Sequence, residues 1–390
     1  MISGMIVLKA KEERRIQRGH LWVFSNEIAR VEGDPQQGGL VEVRASEGRL
    51  LGTATYNRHS LIAGRMLSRD RIENFPAFVR GRMLEAQERR VRLGFQGAWR
   101  MVYGESDGLP GLVIDRYGDA AVIESFSAGG DQMLPHAART LVEDCGVVNV
   151  IERSGSVWRS YEGLEMRTKV WHGEAGRVDA EIDGIRYDID LAEGQKTGFF
   201  LDQRENRVFV EKISHNAAVL DLFCNDGGFS LHAARGGALE VTAVDLSTSA
   251  LLRVQENAKL NDTSIINTIN EDAFDFADRA LAAGLTYDVV VVDPPSFVKN
   301  RKNLATGLKG YRKLNERTLG LVKPGGWFVT CSCSQHVSEE MFLEMLRDAA
   351  SRAGRCLTIM RIAGAAADHP ILLAMPETRY LCCVAAIVTT

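Results

Sequence analysis

The stretch from residue 219 to residue 245, VLDLFCNDGGFSLHAARGGALEVTAVD, contains the pattern on which the fold assignment depends. Two apolar runs that end in aspartate are separated by a glycine-containing turn and a segment of helix-forming residues. The same alternation continues through the apolar runs SIINTIN (264–270), YDVVVVD (287–293) and GWFVTCS (326–332). Strands that alternate with helices predict an α/β domain with a doubly wound, Rossmann-like parallel sheet.

The residues before this region read mostly as short strands and turns. VEVRASEGRLLGTATY (41–56) alternates about a turn at Glu47 and Gly48, and EIDGIRYDIDL (181–191) alternates about an Asp-Gly turn, so each predicts a hairpin. The sequence therefore predicts three domains: a small β-barrel module (1–72), a central α+β domain (73–178) that includes a basic amphipathic helix over 76–95, and the α/β domain (179–390), which opens with the second hairpin.

Composition excludes several classes of protein. The chain has 390 residues, of which 45% are hydrophobic and 25% are charged, as in ordinary globular proteins. No apolar run approaches the ~18 residues of a membrane span, and the N-terminal apolar stretch is too short for a signal peptide. The seven cysteines form no CxxC pair and show no zinc-ligand spacing. We therefore expect a cytoplasmic protein without a bound metal and with no membrane contact.

Two segments are more basic than the chain as a whole, whose net charge is −4. Residues 1–100 hold 18 Lys and Arg against 11 Asp and Glu, and residues 299–317 hold seven Lys and Arg against Glu316 alone. Such segments on an acidic protein indicate a polyanionic partner such as RNA, and a solvated surface is the alternative. For 299–317 we expect a basic loop beside the ligand pocket, and the stretch after Arg312 reads as helix-like.

The first candidate site is the turn that follows the strand at 219–222. Asp221 ends that strand, and Asn225, Asp226 and Gly227 form the turn before a helix. Glycine lets the backbone approach a ligand at the carboxyl end of a strand. Because the dinucleotide pattern GxGxxG is absent, the turn fits S-adenosylmethionine better than a pyrophosphate. A purely structural strand–helix turn is the alternative.

Acidic residues end the next two strands as well. Asp245 is placed to accept hydrogen bonds from ribose hydroxyls, and Asp272, followed by Ala273, is a candidate for the adenine end of a nucleoside. Both aspartates also precede predicted helices, so helix capping is the alternative for each.

The run DPPSF (293–297) follows four valines and brings Asp293 to the rim of the sheet on a turn stiffened by two prolines. Such turns hold target bases in nucleic-acid methyltransferases. The run TCSCS (330–334) ends the following strand, where a cysteine thiolate could attack C6 of a pyrimidine. Alternation places Cys331 and Cys333 on one face and does not choose between them, whereas position at the strand tip favours Cys333. A plain loop and a buried cysteine are the alternatives.

Taken in order, several motifs resemble the 23S ribosomal RNA cytosine-C5 methyltransferases of the RlmI type. The motifs are GHLWVFSNEI (19–28), GESDGLPGLVIDRYGD (104–119), GQKTGFFLDQRENR (194–207), DLFCNDGGFS (221–230), DPPSF (293–297), SCS (332–334) and DHP with PE and YL (368–381). The resemblance implies an N-terminal PUA domain that binds RNA, S-adenosylmethionine as cofactor, 23S ribosomal RNA as substrate and a homodimer.

The resemblance also implies a role for each matching residue. Cys333 would be the nucleophile, and Asp293 would line the cofactor and base pocket. Asp221 and Gly227 would lie at the methionine end of the cofactor, Asp245 at the ribose and Asp272 at the adenine. Phe199 and Arg204 would belong to the segment that leads into the site. The chain departs from the family at Asn225-Asp226, where Tyr-Thr is common, and Asp226 adds a negative charge near the cofactor's sulfonium and ammonium. Ser296 stands where another class of 5-methylcytosine enzymes has a second cysteine, so we expect a one-cysteine mechanism.

Three other functions remain open on the sequence. A methyltransferase of the same architecture could act on a base nitrogen such as that of guanine, without a nucleophile. A non-catalytic RNA-binding assembly factor could retain the cofactor site. A dehydrogenase is disfavoured by the missing GxGxxG.

Overall fold

The computed structural model describes residues 2–191 and 197–390 and divides into two compact units. The first unit comprises Met1–Glu181, Ile189–Leu201 and Ala367–Thr378, and the second comprises Ile182–Asp188, Asp202–Ala366 and Arg379–Thr390. The three-domain division made from the sequence is finer than this one and stays a prediction. Residues 194–196 of the GQKTGFF motif lie outside the described residues.

The first unit begins with a six-stranded sheet in the order β2-β6-β5-β4-β1-β3. Its elements are β1 (Gly4–Leu8), α1 (Arg14–Gln17), β2 (Trp22–Val23), β3 (Ile28–Gly33), β4 (Leu40–Arg44), β5 (Leu50–Tyr56) and β6 (Gly64–Ser68). β4 and β5 are antiparallel and pair Leu40 with Thr55, which confirms the first predicted hairpin. Alternate residues such as Val41 and Val43 are buried in the core of this sheet.

A five-stranded sheet in the order β11-β10-β9-β8-β7 follows in the same unit. Its elements are α2 (Phe75–Arg92), β7 (Ala98–Tyr103), β8 (Leu112–Tyr117), β9 (Ala120–Ser125), α3 (Ala128–Glu143), β10 (Asn149–Ser154), α4 (Trp158–Tyr161) and β11 (Arg167–His172). The predicted basic helix is α2, which begins where the Asn74 side chain accepts from the Ala77 N–H. One of its arginines is not on a solvated face: Arg90 is buried and donates to both carboxylate oxygens of Asp107.

The second predicted hairpin is also confirmed. β12 (Arg177–Ile182) and β13 (Ile185–Asp190) form a two-stranded sheet. Asp183 in the turn has a φ of 51°, a left-handed conformation that aspartate tolerates better than most residues.

The second unit contains a seven-stranded sheet in the order β16-β15-β14-β17-β18-β20-β19. Its elements are α5 (Arg204–Ile213), β14 (Ala218–Leu222), α6 (Gly228–Arg235), β15 (Glu240–Asp245), α7 (Thr248–Leu260), β16 (Ile266–Asn270), α8 (Ala273–Ala282), β17 (Tyr287–Val292), α9 (Leu304–Leu319), β18 (Val322–Ser332), α10 (Glu339–Arg352), β19 (Cys356–Ala363) and β20 (Cys382–Thr389). The neighbours from β16 to β18 are parallel, and β20 is antiparallel to both β18 and β19. The predicted doubly wound α/β sheet is confirmed.

The four valines of β17 show why this strand reads as a continuous apolar run. Val289 and Val291 belong to a core on one face of the sheet together with Phe229, whereas Val290 and Val292 belong to a core on the other face. A parallel strand covered by helices on both faces has no solvent side, so its residues do not alternate between polar and apolar.

The basic stretch at 299–317 is not a loop beyond Leu304, because α9 begins there; the helix expected after Arg312 is confirmed. A 3₁₀ turn at Arg301–Asn303 leads directly into α9, and Asn300 caps that turn by accepting from the Asn303 N–H. The buried side of this helix is formed by Tyr311, Leu314 and Thr318. Among the described residues, no helix combines the length and apolar character needed to cross a membrane.

Candidate active site

The site residues gather where the order of strands reverses. β14 pairs with β15 on one side and with β17 on the other, although β17 comes three strands later in the chain. The register aligns Leu222 with Val292 and Val292 with Thr330, so the residues just beyond these three lie along one edge. Ligands of open α/β sheets bind in the crevice at such a point.

Asp221 is the buried carboxylate of this crevice. Its Oδ2 accepts from the Ser230 N–H at 3.0 Å and from the Ser230 hydroxyl at 2.6 Å, while its Oδ1 has no hydrogen-bond partner among the described residues. Burial, assisted by the charge of Asp293, raises the pKa of Asp221 to about 7. Ser230 was not singled out from the sequence, although its place in the first turn of α6 is visible in the motif.

The turn after β14 is held by the carboxylate at the tip of β15. The Asn225 N–H donates to Asp245 Oδ2 at 3.0 Å, and the Ser247 N–H donates to Oδ1 at 2.9 Å. Asn225 and Gly227 have φ values of 47° and 81°, and a Cβ on Gly227 would lie 3.2 Å from a methyl group of Val254. Glycine is therefore required at this position for both conformation and space.

The negative charge that Asp226 brings to the turn is paired within the protein. Arg253 Nε on α7 donates to Asp226 Oδ1 at 2.5 Å, and the Asn257 amide donates to the Asp226 carbonyl at 3.1 Å. Burial raises the pKa of Asp226, and the Arg253 charge opposes that rise. The added charge expected at Asp226 is therefore not isolated. Its partner Arg253 lies 27 residues away on another element and was not identified from the sequence.

Asp272 caps α8. Its Oδ1 accepts from the Phe274 N–H at 2.8 Å and from the Asp275 N–H at 3.4 Å, and the neighbouring Ala273 is buried. The capping alternative noted for Asp272 is therefore present in the structure. This capping uses one carboxylate oxygen, at the carboxyl end of the edge strand β16.

Asp293 and Cys333 lie at the ends of two neighbouring strands. Asp293 follows β17, is half-buried, and donates its N–H to the Leu222 carbonyl at 3.4 Å. Cys333 lies one residue beyond β18 and is half-buried, and its thiol donates to the Pro294 carbonyl at 3.8 Å. The cysteine and the DPPSF turn are thus in direct contact.

Cys331 has a different environment. It lies within β18, is fully buried, and is opposite Cys383 of β20 in the strand register. The hydrogen bond with Cys383 raises the pKa of the Cys331 thiol, and burial raises it further. Cys333 packs against the same core cluster that contains Cys331, in agreement with the alternation, but it lies one residue beyond the strand and is only half-buried.

A cluster of three hydroxyl groups links the segments that follow β17 and β18. The Ser334 hydroxyl is 2.8 Å from the Ser296 hydroxyl and 2.8 Å from the Tyr311 hydroxyl. The cluster therefore connects the DPPSF turn, the residue after Cys333 and helix α9. Tyr311 and Ser334 were not identified from the sequence, because only the fold brings them together.

The two remaining candidates from the GQKTGFF motif have different surroundings. Phe199 belongs to the first unit, where its side chain is buried and its N–H donates to the Tyr117 hydroxyl at 3.1 Å. Arg204 begins α5 in the second unit and holds the hairpin turn through Asp183, with distances of 3.0 Å from Nε to Oδ2 and 2.5 Å from Nη2 to Oδ1.

The crevice fits a nucleoside cofactor that carries an amino group. Asp221 offers a buried acceptor oxygen without a partner among the described residues, and the left-handed turn brings backbone to the same edge. In residues 2–191 and 197–390, no group of three or more His, Cys, Asp or Glu side chains is arranged to hold a metal.

Comparison with known proteins gives two family matches. Residues 6–69 match the PUA-like domain, and residues 166–362 match the S-adenosylmethionine-dependent methyltransferase family. A protein named ribosomal RNA large subunit methyltransferase I from Aeromonas salmonicida is 39% identical, covering 97% of this chain and 98% of that protein. Its counterpart from Vibrio vulnificus strain YJ016 is 37% identical, with the same coverage of both chains.

A solved structure of similar fold is a methyltransferase complexed with SAH. It has a TM-score of 0.85 and 20% identity, and the match covers 99% of this chain and all of the other. At this identity the likeness shows the fold.

Proposed function

Because the chain belongs to the ribosomal RNA large subunit methyltransferase I family of S-adenosylmethionine-dependent enzymes, we propose that it methylates C5 of a cytosine in 23S ribosomal RNA. The observation that carries the C5 chemistry is the contact between the Cys333 thiol and the Pro294 carbonyl at the switch point of the sheet. A base nitrogen can be methylated without a nucleophilic thiol, whereas C5 of cytosine must first be activated.

Four groups of the chain are proposed to hold the cofactor. Asp221 Oδ1 accepts from the amino group, the turn 225–227 supplies backbone contacts, and Asp245 and Asp272 take the ribose and the adenine. When bound, S-adenosylmethionine supplies an electrophilic methyl group on its sulfonium. Because Asp226 is paired with Arg253, the turn itself has little net charge. The negative charge that faces the cofactor is proposed to come from Asp245 and, once the amino group is bound, from Asp221.

Cys333 is the proposed nucleophile. Its thiolate forms a bond to C6 of cytosine, and the electrons of the C5–C6 double bond move to make C5 nucleophilic. C5 would then take the methyl group, whose bond to the sulfonium sulfur breaks with its electron pair left on sulfur, and S-adenosylhomocysteine would be the second product. Loss of the C5 proton restores the C5–C6 double bond and expels the Cys333 thiolate, so the enzyme returns to its starting state.

Asp293 is proposed to receive the C5 proton, directly or through one water. It follows β17 at the same edge of the sheet as Cys333, and its charge helps to raise the pKa of Asp221. Ser296 of the same turn is hydrogen-bonded to Ser334. Because position 296 is a serine and not a cysteine, the proposed mechanism uses one cysteine.

The finer features of the substrate complex belong to the same proposal. The PUA-like module in the basic first hundred residues would bind RNA, within a chain of three domains at 1–72, 73–178 and 179–390. We propose that the enzyme is a homodimer and acts in the cytoplasm, where ribosomes are assembled. Sedimentation of the purified full chain tests the dimer.

Methylation of unmodified 23S ribosomal RNA with labelled S-adenosylmethionine, followed by nucleoside mass spectrometry, tests the proposal. We expect label in 5-methylcytidine, loss of that label in Cys333→Ala, and normal activity in Cys356→Ala, which removes an exposed thiol from β19. Label in a methylguanosine, or full activity of Cys333→Ala, would overturn the C5 mechanism and favour the nitrogen-methylating alternative.

A further inference from the structure

Five cations line α9 and the segment before it without an acidic partner. In the described part of the chain, no ion pair or hydrogen bond engages the side chains of Lys299, Arg301, Lys302, Lys309 and Lys313, and all five are exposed. We call these five residues the α9 basic surface. Lys309 and Lys313 are four residues apart and therefore lie on one face of the helix.

The other two cations of residues 299–317 each form an ion pair with an acidic side chain. Arg312 pairs with Glu316 at 3.0 Å, and Arg317 pairs with Asp278 at 2.6 Å. Three of the five unpaired cations precede α9 and two lie on it, whereas both paired arginines lie in its C-terminal half. An ordinary solvated face would intermix the two signs of charge.

Two glycines bring α9 against the DPPSF turn. A Cβ on Gly307 would lie 2.3 Å from a Val298 methyl and 2.7 Å from the Phe297 carbonyl, and one on Gly310 would lie 3.2 Å from the Phe297 ring. The Phe297 and Tyr311 rings are 4.7 Å apart between centroids. The helix that carries the basic surface is thus in contact with the turn that ends β17.

The same helix is fastened to the strand that leads to Cys333. The Tyr311 hydroxyl is 2.8 Å from that of Ser334, and the Asn315 side chain accepts from the Thr330 hydroxyl at 2.7 Å. Lys309 and Lys313 flank Tyr311 at two positions on either side, within about 3 Å along the helix axis. Because residues two apart on a helix do not face each other, both lysine side chains leave α9 on the side away from Tyr311, where they are open to solvent. Lys299, two residues after Phe297, is the cation of this surface that lies next to the DPPSF turn in the chain.

We propose that the α9 basic surface binds the phosphates of the RNA strand that carries the target base and so brings that strand to Cys333. The proposal rests on the proposed function and adds to it the element that grips the substrate. RNA is the partner that the charge favours, because a row of lysine ammoniums matches a phosphate backbone without any base-specific contact.

Binding of unmodified 23S ribosomal RNA between 50 and 200 mM KCl tests the proposal with the full-length chain. In Lys309→Ala/Lys313→Ala, we expect the slope of log K against log salt to become shallower by about 1.4, for two contacts to single-stranded phosphates. The KM for RNA should rise roughly tenfold while kcat and the affinity for S-adenosylmethionine stay within about twofold.

Two further variants complete the test. Lys212→Ala/Lys259→Ala removes two exposed lysines from α5 and α7 and should leave the slope unchanged, whereas Lys309→Arg/Lys313→Arg should retain it. A slope in Lys309→Ala/Lys313→Ala equal to that of wild type would overturn the proposal. If wild type methylates a base other than cytosine, the proposed function fails, and the slopes still decide whether this surface binds RNA.

Discussion

Asp221 combines two properties that a single residue seldom has in a protein core. It is fully buried, and one of its oxygens lacks a hydrogen-bond partner among the described residues, while two donors from Ser230 hold the other. Burial of a carboxylate is costly unless a partner offsets it. We interpret the unmatched oxygen as a feature maintained for the cofactor, because binding would supply the donor that the protein omits.

Asp221→Asn tests this interpretation. Asparagine can still accept from Ser230, but it lacks the charge, so the affinity for S-adenosylmethionine should fall roughly 10- to 100-fold, equivalent to about 1.5–3 kcal/mol. Isothermal titration of the wild-type protein and the variant measures the change. An unchanged affinity would remove Asp221 from the cofactor site.

The pH dependence of stability gives an independent prediction for the same residue. The pKa of Asp221 is raised to about 7 in the folded chain, so between about pH 4 and pH 7 the folded state binds more protons at this group than the unfolded state. Its contribution to the stability of the cofactor-free protein is therefore lost as pH rises through that window, by at most about 1.4 kcal/mol per pH unit. Denaturant titrations should show this loss in wild type and its absence in Asp221→Asn; parallel profiles would contradict it.

The ion pair between Asp226 and Arg253 should stabilise the turn, because Asp226 is buried and unpairing it would leave its charge without a partner. We expect Arg253→Met to lower the free energy of unfolding by ~1–3 kcal/mol, and Asp226→Asn/Arg253→Met to recover part of that loss. Arg279→Ala, which breaks the exposed pair with Glu271, serves as the control and should lower the free energy of unfolding much less than Arg253→Met does. Equal losses in the two single variants would argue that Asp226 is solvated.

At the scale of elements, the contact between α9 and the DPPSF turn depends on the absence of side chains at two positions. Gly307→Ala would force the added methyl into Phe297 and Val298, and we expect a loss of ~1–3 kcal/mol of stability together with a fall in kcat, since the turn must move. Gly81→Ala in α2 is the matched control: nothing lies within 4 Å of its added Cβ, so it should be neutral or stabilising by ~0.4–1 kcal/mol. A kcat unaffected by Gly307→Ala would separate α9 from catalysis.

The sequence predicted a strand correctly where either a continuous apolar run or a strict polar–apolar alternation marks it. The valines of β17 and the alternating residues of β4 and β5 each indicate a strand directly. It was wrong for the first half of α9, where Gly307 and Gly310 lower helix propensity. Tertiary packing of those glycines on Phe297 overrides the propensity, and a single sequence does not display that packing.

The site residues divide in the same way. Asp221, Asp245 and Asp293 could be located because a parallel sheet places the ends of its strands at one edge. Arg253, Tyr311 and Ser334 could not, because each acts on a residue far away in the chain. Sequence reasoning thus located the acids but missed the groups that hold them.

At the scale of the whole molecule, the first unit is completed by a segment from near the C-terminus. Within Ala367–Thr378, the Asp368 carbonyl accepts from buried Arg90 at 2.7 Å, and the Asp368 carboxylate accepts from the Arg100 N–H at 2.9 Å. Asp368 is 268 residues away from Arg100 in the sequence. Apart from the DHP motif, nothing in the sequence indicates that Ala367–Thr378 belongs to the first unit.

A fragment of residues 1–178 therefore lacks two partners of its own core. We expect it to unfold at a lower denaturant concentration than the first unit does in the full chain, because Arg90 and the Arg100 N–H lose buried acceptors at ~1–3 kcal/mol each. Asp368→Ala in the full chain should reproduce part of that loss. Hydrogen exchange at the β7 amides measures the loss of stability in the fragment and in Asp368→Ala. Equal protection of these amides in the fragment and in the full chain would show that Ala367–Thr378 is dispensable for the first unit.

The covalent bond between Cys333 and C6 of cytosine is the step on which the proposed mechanism depends. RNA in which cytidine is replaced by 5-fluorocytidine tests it directly, because fluorine cannot leave C5 as a proton does, and the adduct cannot resolve. We expect wild type and Cys356→Ala, incubated with such 23S RNA and S-adenosylmethionine, to give a protein–RNA complex that survives denaturing electrophoresis, and Cys333→Ala to give none. A complex that persists in Cys333→Ala, or its absence from an active wild-type enzyme, would contradict the account.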